Sequence, residues 1–525
     1  MNEMKHEMAE KTVWRDGEGR LCSRLFAVFA LLAALIALFA IPLKVETFGF
    51  VPPDDAVRHS AFATVEKTWN EILVSDRQIP DMHVGWHATL RAVRGLTGAG
   101  AEGLAVFSVV SLFLLWAVPP LFMVRRHESW MIALLLGYGL AGLCIRALLG
   151  RPFIFHTAVL TWLLLTGDRL NEKRNPWGLM VFLTLALALS IWWRTTWFMY
   201  ALPVLAFVLA RRWRATGRLL AMLVVAFFVA LPFVGVGLAW DSLALSAGLM
   251  GSADHASQLV TELRPLTAYG TIILIFGLFA VWLRFRNRPL RAFFDTPAFF
   301  LLLISVFLGT SAAKWWLDFG VPAFVALIAL EFDAFFSESS VAERLLPEFS
   351  LRRMLFSGGI ALLLFLLCGV DEGGRWTGSL HNEYVDMTDD SIREGLPGTN
   401  GIVYANSPGV FFQTFFSHPE APWRYMVGFE SALMPPEDLK VYRRIQWNGG
   451  ALQCFKPWVE KMRPQDRLWI MQGRGRPAPK IQGLSWTHMT SYVWSGRKTN
   501  RCERADAPPK PSAEAISPDG AGCGK

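Results

Sequence analysis

The segment V-P-P-D-D-A-V-R-H-S-A-F-A, residues 51–63, follows a long apolar run and sets two carboxylates, Asp54 and Asp55, side by side. Arg58 and His59 come one helical turn later. Asp54 with Arg58, and Asp55 with His59, therefore stand at i, i+4 spacing and can share a helix face. Two chemistries suit such a pair. An Asp after Pro-Pro is a good helix N-cap, accepting amide hydrogen bonds at the positive end of the helix. A carboxylate at a membrane face can also act as general base toward an acceptor hydroxyl. Capping accounts for one Asp and leaves the other for chemistry; Asp55 is slightly favoured as the base, and Asp54 remains the alternative.

Three cations sit at the ends of apolar runs: Arg151 in G-R-P-F-I-F-H, Arg194 in W-W-R-T-T-W and Lys314 in S-A-A-K-W-W-L-D-F-G. A cation at that depth is costly unless paired or hydrated. Snorkelling or pairing is the plain account, Lys314 with Asp318 for instance. Three at one level instead suggest a receptor for an anionic group such as a lipid phosphate, which the guanidinium fork suits. In D-M-H-V-G-W-H (81–87), His83 and His87 share a helix face and, with Asp81, invite a metal reading. Without a third strong ligand, hydrogen bonding or substrate contact is the better reading. A divalent metal has little else behind it, and no cofactor is expected. Asp254 and His255, in an outer loop over 241–265, are within reach of the same site.

The elements that must position these residues are membrane helices. The chain has 525 residues, 53% hydrophobic and 18% charged, where soluble domains are nearer a quarter charged. Its apolar blocks match the roughly 20 residues that cross a bilayer. Spans are expected near 25–45, 104–124, 130–149, 152–167, 177–193, 196–210, 219–240, 266–283, 297–313, 316–336 and 355–370. Basic clusters fall on alternate loops, including Arg125-Arg126, Arg211–Arg218, Arg284–Arg291 and Arg352-Arg353. That asymmetry puts the N-terminus (1–24) in the cytoplasm. Loop 46–103 and everything after 371 then lie outside, in the periplasm of a bacterial inner membrane. The net charge of +8 is spent on these orientation signals, so no nucleic-acid partner is expected. The fold class is a polytopic α-helical membrane protein of about eleven spans with a C-terminal extracytoplasmic α/β domain.

Within the outer loop, apolar spacing predicts a helix over 56–73 and a second from about 82 to 96, both along the membrane surface. Residues 371–502 read as the α/β domain, with strands at 401–405, 423–429, 466–471 and 486–494 and helices from Pro408 and over 436–445. Residues 503–525 read as a disordered tail. Cys454 and Cys502 are a candidate disulfide.

The layout resembles that of the GT-C-fold membrane glycosyltransferases that use polyprenyl-phosphate sugars. The residues carrying the resemblance are the acidic pair in P-P-D-D-A-V-R-H-S-A-F-A, the segment D-M-H-V-G-W-H-A-T-L-R-A-V-R-G-L-T-G before span two, and G-R-P-F-I-F-H-T-A-V-L. The resemblance covers 25–370. It implies an inverting glycosyltransferase in which Arg194 and Lys314, with Arg151, hold the donor phosphate, and Trp376, Trp423 and Trp458 of the outer domain serve as glycan-stacking platforms. Asp54 or Asp55 would deprotonate the hydroxyl of a glycan, lipid or protein acceptor. The alternatives are a membrane transporter and a non-catalytic envelope glycan assembly protein, besides a ligase or polymerase that uses diphosphate-linked glycans. Few charges at span centres and the lack of an inverted repeat weigh against transport.

Overall fold

The computed structural model describes residues 2–141, 146–251, 262, 264–267, 282, 295–338, 340–347 and 350–499. Among these, five helices are long and apolar enough to cross a membrane: Leu25–Thr47, Ala101–Met123, Trp213–Val234, Ala313–Glu338 and Leu351–Cys368. Five shorter apolar helices accompany them, at Phe153–Leu165, Trp177–Trp193, Trp197–Leu209, Val236–Ala247 and Pro297–Gly309. Phe153–Leu165 is buried along its whole length, as expected of a helix apolar on every side and surrounded by others. Trp213–Val234 instead leaves Leu220, Val224 and Phe228 exposed on one flank, a lipid-facing pattern.

Several boundaries differ from expectation. The run over 219–240 is two helices, because Gly235 at φ +78° ends Trp213–Val234 and a new helix, Val236–Gly251, starts. The first part of the expected 241–265 loop is therefore helical. The expected span 266–283 lies almost wholly outside the described residues, as does the tail from 500 onward.

The outer loop departs further. The expected 56–73 helix stops at Phe62. The chain restarts as the single turn Trp69–Ile72, whose Glu71 carboxylate accepts from the Thr68 amide at 2.7 Å and hydroxyl at 2.8 Å. Leu73 then runs extended beside Tyr425, and the Val74 amide donates to the Tyr425 carbonyl at 2.9 Å. Ala61, Phe62, Val65, Trp69, Ile72 and Leu73 are buried in one cluster with Phe411, Phe415 and Tyr425 of the C-terminal domain. The helix Asp55–Phe62 packs between Ala101–Ala117 and Pro408–Ser417, and the turn after it keeps Glu66, Thr68 and Glu71 exposed.

The C-terminal domain holds a five-stranded sheet in the order β2-β1-β3-β5-β4, with β1 Ile402–Ala405, β2 Arg424–Tyr425, β3 Arg467–Met471, β4 Leu484–Thr490 and β5 Val493–Lys498. β1 pairs in parallel with β2 and β3, while β5 runs antiparallel to β3 and β4. Alternation sorts the side chains. Val403, Ala405 and Trp469 face the outer loop, while Ile402, Tyr404, Leu468 and Ile470 face the helices Pro436–Trp447 and Lys456–Lys461. The expected single strand at 486–494 is a hairpin. It turns at Ser491-Tyr492, which the Glu383 carboxylate pins by accepting from the Ser491 amide and hydroxyl, both at 2.6 Å. Trp376, Trp423 and Trp458 are 0%, 3% and 0% exposed. They are core residues and cannot offer a ring face to a glycan. Cys454 is buried, and Cys502 lies outside the described residues.

Candidate active site at the membrane–outer domain junction

A cavity of about 420 Å³ opens where the membrane helices meet the C-terminal domain. Asp54, Asp55, Arg151, Arg194 and Lys314 all line it, brought from four separate stretches of chain. Asp54 is the N-cap of Asp55–Phe62, its Oδ1 accepting from the Asp55 amide at 2.5 Å. The same carboxylate is gripped by Arg151, whose Nε donates to Oδ1 at 3.3 Å and whose second terminal nitrogen bonds Oδ2. Asp55, in the first turn, points the other way. Its Oδ1 accepts from Arg58 at 2.7 Å, and its side chain is 37% exposed against 24% for Asp54. Arg58, Arg151, His83 and Arg194 hold the Asp55 carboxyl well below the usual range against the opposing effect of its burial.

Arg151 follows Gly150, which takes φ +63° and has no room for a Cβ: one would stand 3.1 Å from Ala56 and from the Val109 amide. That close approach sets the helix Asp55–Phe62 directly against the chain leading to Arg151. Arg194 ends Trp177–Trp193, where the chain turns extended. Its guanidinium lies over the Phe153 ring at 4.5 Å. Lys314 is in the first turn of Ala313–Glu338. A π-helical turn, Trp316–Gly320, interrupts that helix and carries the buried Asp318; such turns commonly mark functional sites.

The expected Lys314–Asp318 pair is not made. Asp318 instead accepts from Arg146 at 3.1 Å. Glu262 bridges two arginines, 3.1 Å from Arg151 and 3.9 Å from Arg146. Among the described residues, Arg194 and Lys314 have no carboxylate within 4 Å, and both line the cavity. Arg146 was not singled out from sequence, Glu262 was read only as an outer-loop charge and Asp318 only as a partner for Lys314. Arg146 falls inside an expected span, and an ionisable residue there is itself a functional signal. Glu430 was missed as well. With Pro408, Phe412 and Phe429 it closes the cavity from the outer domain, and burial pushes its carboxyl up.

Arg58, His59, His83 and His87 sit behind Asp55. His59 Nδ1 and His87 Nε2 are 2.7 Å apart, and His87 Nδ1 is 2.7 Å from an Asp81 oxygen. The His83 ring packs against His59 at a tilt of 57° with centroids 4.5 Å apart, and its amide donates to Asp81 at 3.0 Å. Burial lowers all three imidazoles, His59 and His83 well below their ordinary value. Asp81 is held down at about 2, chiefly by His87 against its own burial. Among the described residues no group of three or more His, Cys, Asp or Glu is arranged to hold a metal. Asp254 and His255 lie outside the described residues.

Neither a family model nor a curated protein matches the chain. Among solved structures, ArnT from Cupriavidus metallidurans bound to undecaprenyl phosphate superposes with a TM-score of 0.52 at 14% identity, covering 90% of this chain and 98% of that one. The apo state of the same protein gives 0.49 at 14%, covering 89% and 97%. The Archaeoglobus fulgidus oligosaccharyltransferase tethered with an acceptor peptide gives 0.42 at 12%, covering 84% and 69%. The alignment to undecaprenyl phosphate-bound ArnT runs through the membrane helices, the outer loop and the C-terminal domain alike, and with the apolar helices above it makes this chain an integral membrane protein of the GT-C fold.

Proposed function

We propose that the protein is a glycosyltransferase that moves a sugar from a polyprenyl-phosphate donor to an acceptor hydroxyl at the outer face of the membrane. The observation that carries the reading is a pair of cations, Arg194 and Lys314, that have no carboxylate within 4 Å among the described residues and line the cavity that also holds Asp55. Both side chains are only half-buried, so each is open to an anion entering the cavity, and the counter-charge we assign to them is a phosphate. A structure of the same fold holds undecaprenyl phosphate.

In this reading Arg194 and Lys314 bind the donor phosphate and stabilise the charge that grows on it as the glycosidic bond breaks. Asp55, ionised and accessible, takes the proton of the incoming hydroxyl, which attacks the anomeric carbon from the face opposite the phosphate and inverts it. Asp54 and Arg151 hold the helix start on which Asp55 rides. The outer domain supplies Phe412, Phe429 and Glu430 as the wall that an acceptor meets. Orientation follows the basic loops, with the N-terminus in the cytoplasm and the C-terminal domain outside, as in a bacterial inner membrane.

Transfer of labelled sugar from synthetic polyprenyl-phosphate donors, screened against envelope glycolipid fractions, tests the reading. Asp55→Asn should abolish transfer while leaving donor binding in place. Full transfer by Asp55→Asn would overturn Asp55 as base. No binding of any polyprenyl-phosphate sugar by the wild type would overturn the enzyme class in favour of transport or assembly.

A further inference from the structure

Five side chains form one hydrogen-bonded line behind the proposed base: Asp55, Arg58, His59, His87 and Asp81. Their atoms decide the direction of every bond. The Arg58 terminal nitrogen lies 3.1 Å from His59 Nε2, and a guanidinium has hydrogens only and can never accept. His59 Nε2 is therefore a lone pair, and the proton of the neutral ring sits on Nδ1. Nδ1 faces His87 Nε2 at 2.7 Å, so that nitrogen is a lone pair as well and the His87 proton sits on its Nδ1. His87 Nδ1 in turn meets the Asp81 oxygen at 2.7 Å, and an ionised carboxylate only accepts. The same polarity follows from the Asp81 end, since an acceptor there demands a proton on His87 Nδ1. The two independent ends agree, and the lowered imidazoles agree with two neutral rings.

We infer that Asp81 and His87 are positioning residues, which fix the His59 tautomer whose Nε2 lone pair aligns Arg58 on the Asp55 carboxylate. The line is shielded along its middle, while Asp55 and Asp81 at its ends are 37% and 25% exposed. Phe429 of the outer domain covers the Arg58 guanidinium at 4.0 Å, and His59 and His87 are fully buried. Loss of the Asp81 charge should reverse it. An Asn at 81 can donate to His87 Nδ1, moving the His87 proton to Nε2 and the His59 proton to Nε2 in turn. His59 would then present N–H to Arg58 N–H, two donors face to face, and Arg58 would leave Asp55.

This inference rests on the reading of Asp55 as base, but its first test does not use activity. In protein labelled with ¹⁵N-histidine and reconstituted in lipid, two neutral rings protonated on Nδ1 are expected, assigned by their loss in His59→Gln and His87→Gln. Asp81→Asn should convert both to Nε2–H, and Asp81→Glu should restore Nδ1–H. Wild-type rings carrying the proton on Nε2, or tautomers indifferent to Asp81→Asn, would overturn the inference. If Asp81→Asn does not fold, the wild-type tautomers alone decide it.

The second test is kinetic. The groups facing Asp55 are Arg58, Arg151, His83, Arg194 and Glu430; those facing the two rings include His83, Arg194, Asp81 and Arg91. With Arg58 displaced, kcat should fall about ten- to a hundredfold with donor binding unchanged, and Asp81→Glu should restore it. A purely structural role would lower stability and donor binding together, and an unchanged kcat overturns the inference. Full activity of Asp55→Asn alongside Nδ1–H rings would instead sink the function and spare the tautomer chain.

Discussion

Replacing Arg194 by Gln, and separately Lys314 by Met, should weaken donor binding about ten- to a hundredfold each. Neither side chain has a carboxylate within 4 Å among the described residues, and both line the cavity. Two unit charges 4 Å apart attract by about 4 kcal/mol at an effective dielectric near 20. Desolvation and the water bonds given up reduce this to a net of about 1.5–3 kcal/mol per hydrogen bond to a charged group, and each 1.4 kcal/mol is a factor of about ten in affinity. Arg194 is the better organised of the two, because its guanidinium is already stacked on Phe153 at 4.5 Å, so its loss should sit at the upper end. Arg146→Gln should cost less than either, since Asp318 already takes that guanidinium at 3.1 Å. Equilibrium binding of labelled undecaprenyl phosphate to the protein in lipid nanodiscs measures all three. Affinities of Arg194→Gln and Lys314→Met both within twofold of wild type, in folded protein, would refute the phosphate reading. So would a wild-type affinity indifferent to salt, given how strongly partly exposed charges are screened.

Asp54→Asn should act on stability more than on chemistry. It weakens a cap worth about 1 kcal/mol and loosens Arg151, and its thermal midpoint should drop while transfer falls less than in Asp55→Asn; the reverse order would exchange the two roles. Glu430 is pushed upward by burial, so it takes up its proton at a pH above the usual carboxylate range. An anionic donor should bind more tightly as pH falls through that range, because the protonated form removes a competing negative charge, and Glu430→Gln should flatten the dependence; an identical pH profile in the variant would count against it. Gly85→Ala should destabilise by about 1–3 kcal/mol, because a Cβ there would stand 2.5 Å from the Trp192 carbonyl oxygen. The collision pushes the helix Val84–Thr97 off Trp177–Trp193, and an unchanged thermal midpoint would show the contact to be looser than drawn.

The acidic pair and the three cations were legible because topology alone puts them at one end of the membrane bundle. Apolar runs and alternating basic loops are strong, local signals, and counting them assigns a side to every loop. The pairing among those charges was not legible. Lys314 and Asp318 are one turn apart in sequence, yet the π-helical turn at Trp316–Gly320 intervenes and Asp318 meets Arg146, 172 residues away. The hairpin at 486–494 was hidden for a similar reason. Ser491-Tyr492 has none of the Gly or Asn that announces a tight turn, and Glu383, 108 residues earlier, holds it. The tryptophans misled in the other direction. Trp is common in both cores and binding faces, and only burial distinguishes Trp458, whose indole N–H donates to Asp438 at 3.0 Å inside the core. Glu430 could not be found by local pattern at all, because it reaches the site through the docking of Leu73 beside Tyr425.

The charges around the cavity also bear on what the site admits. Five cations, Arg58, Arg146, Arg151, Arg194 and Lys314, meet five carboxylates, Asp54, Asp55, Glu262, Asp318 and Glu430. Arg58 is taken by Asp55, Arg151 by Asp54 and Glu262, and Arg146 by Asp318. Arg194, Lys314 and Glu430 are left over. When Glu430 holds its proton, these described side chains together carry one net positive charge. A single phosphodiester charge would neutralise it, whereas a diphosphate-linked lipid would bring at least one negative charge more, next to carboxylates already committed. The donor we propose is therefore the monophosphate-linked lipid, and the balance that favours it requires the docked outer domain, which contributes Glu430.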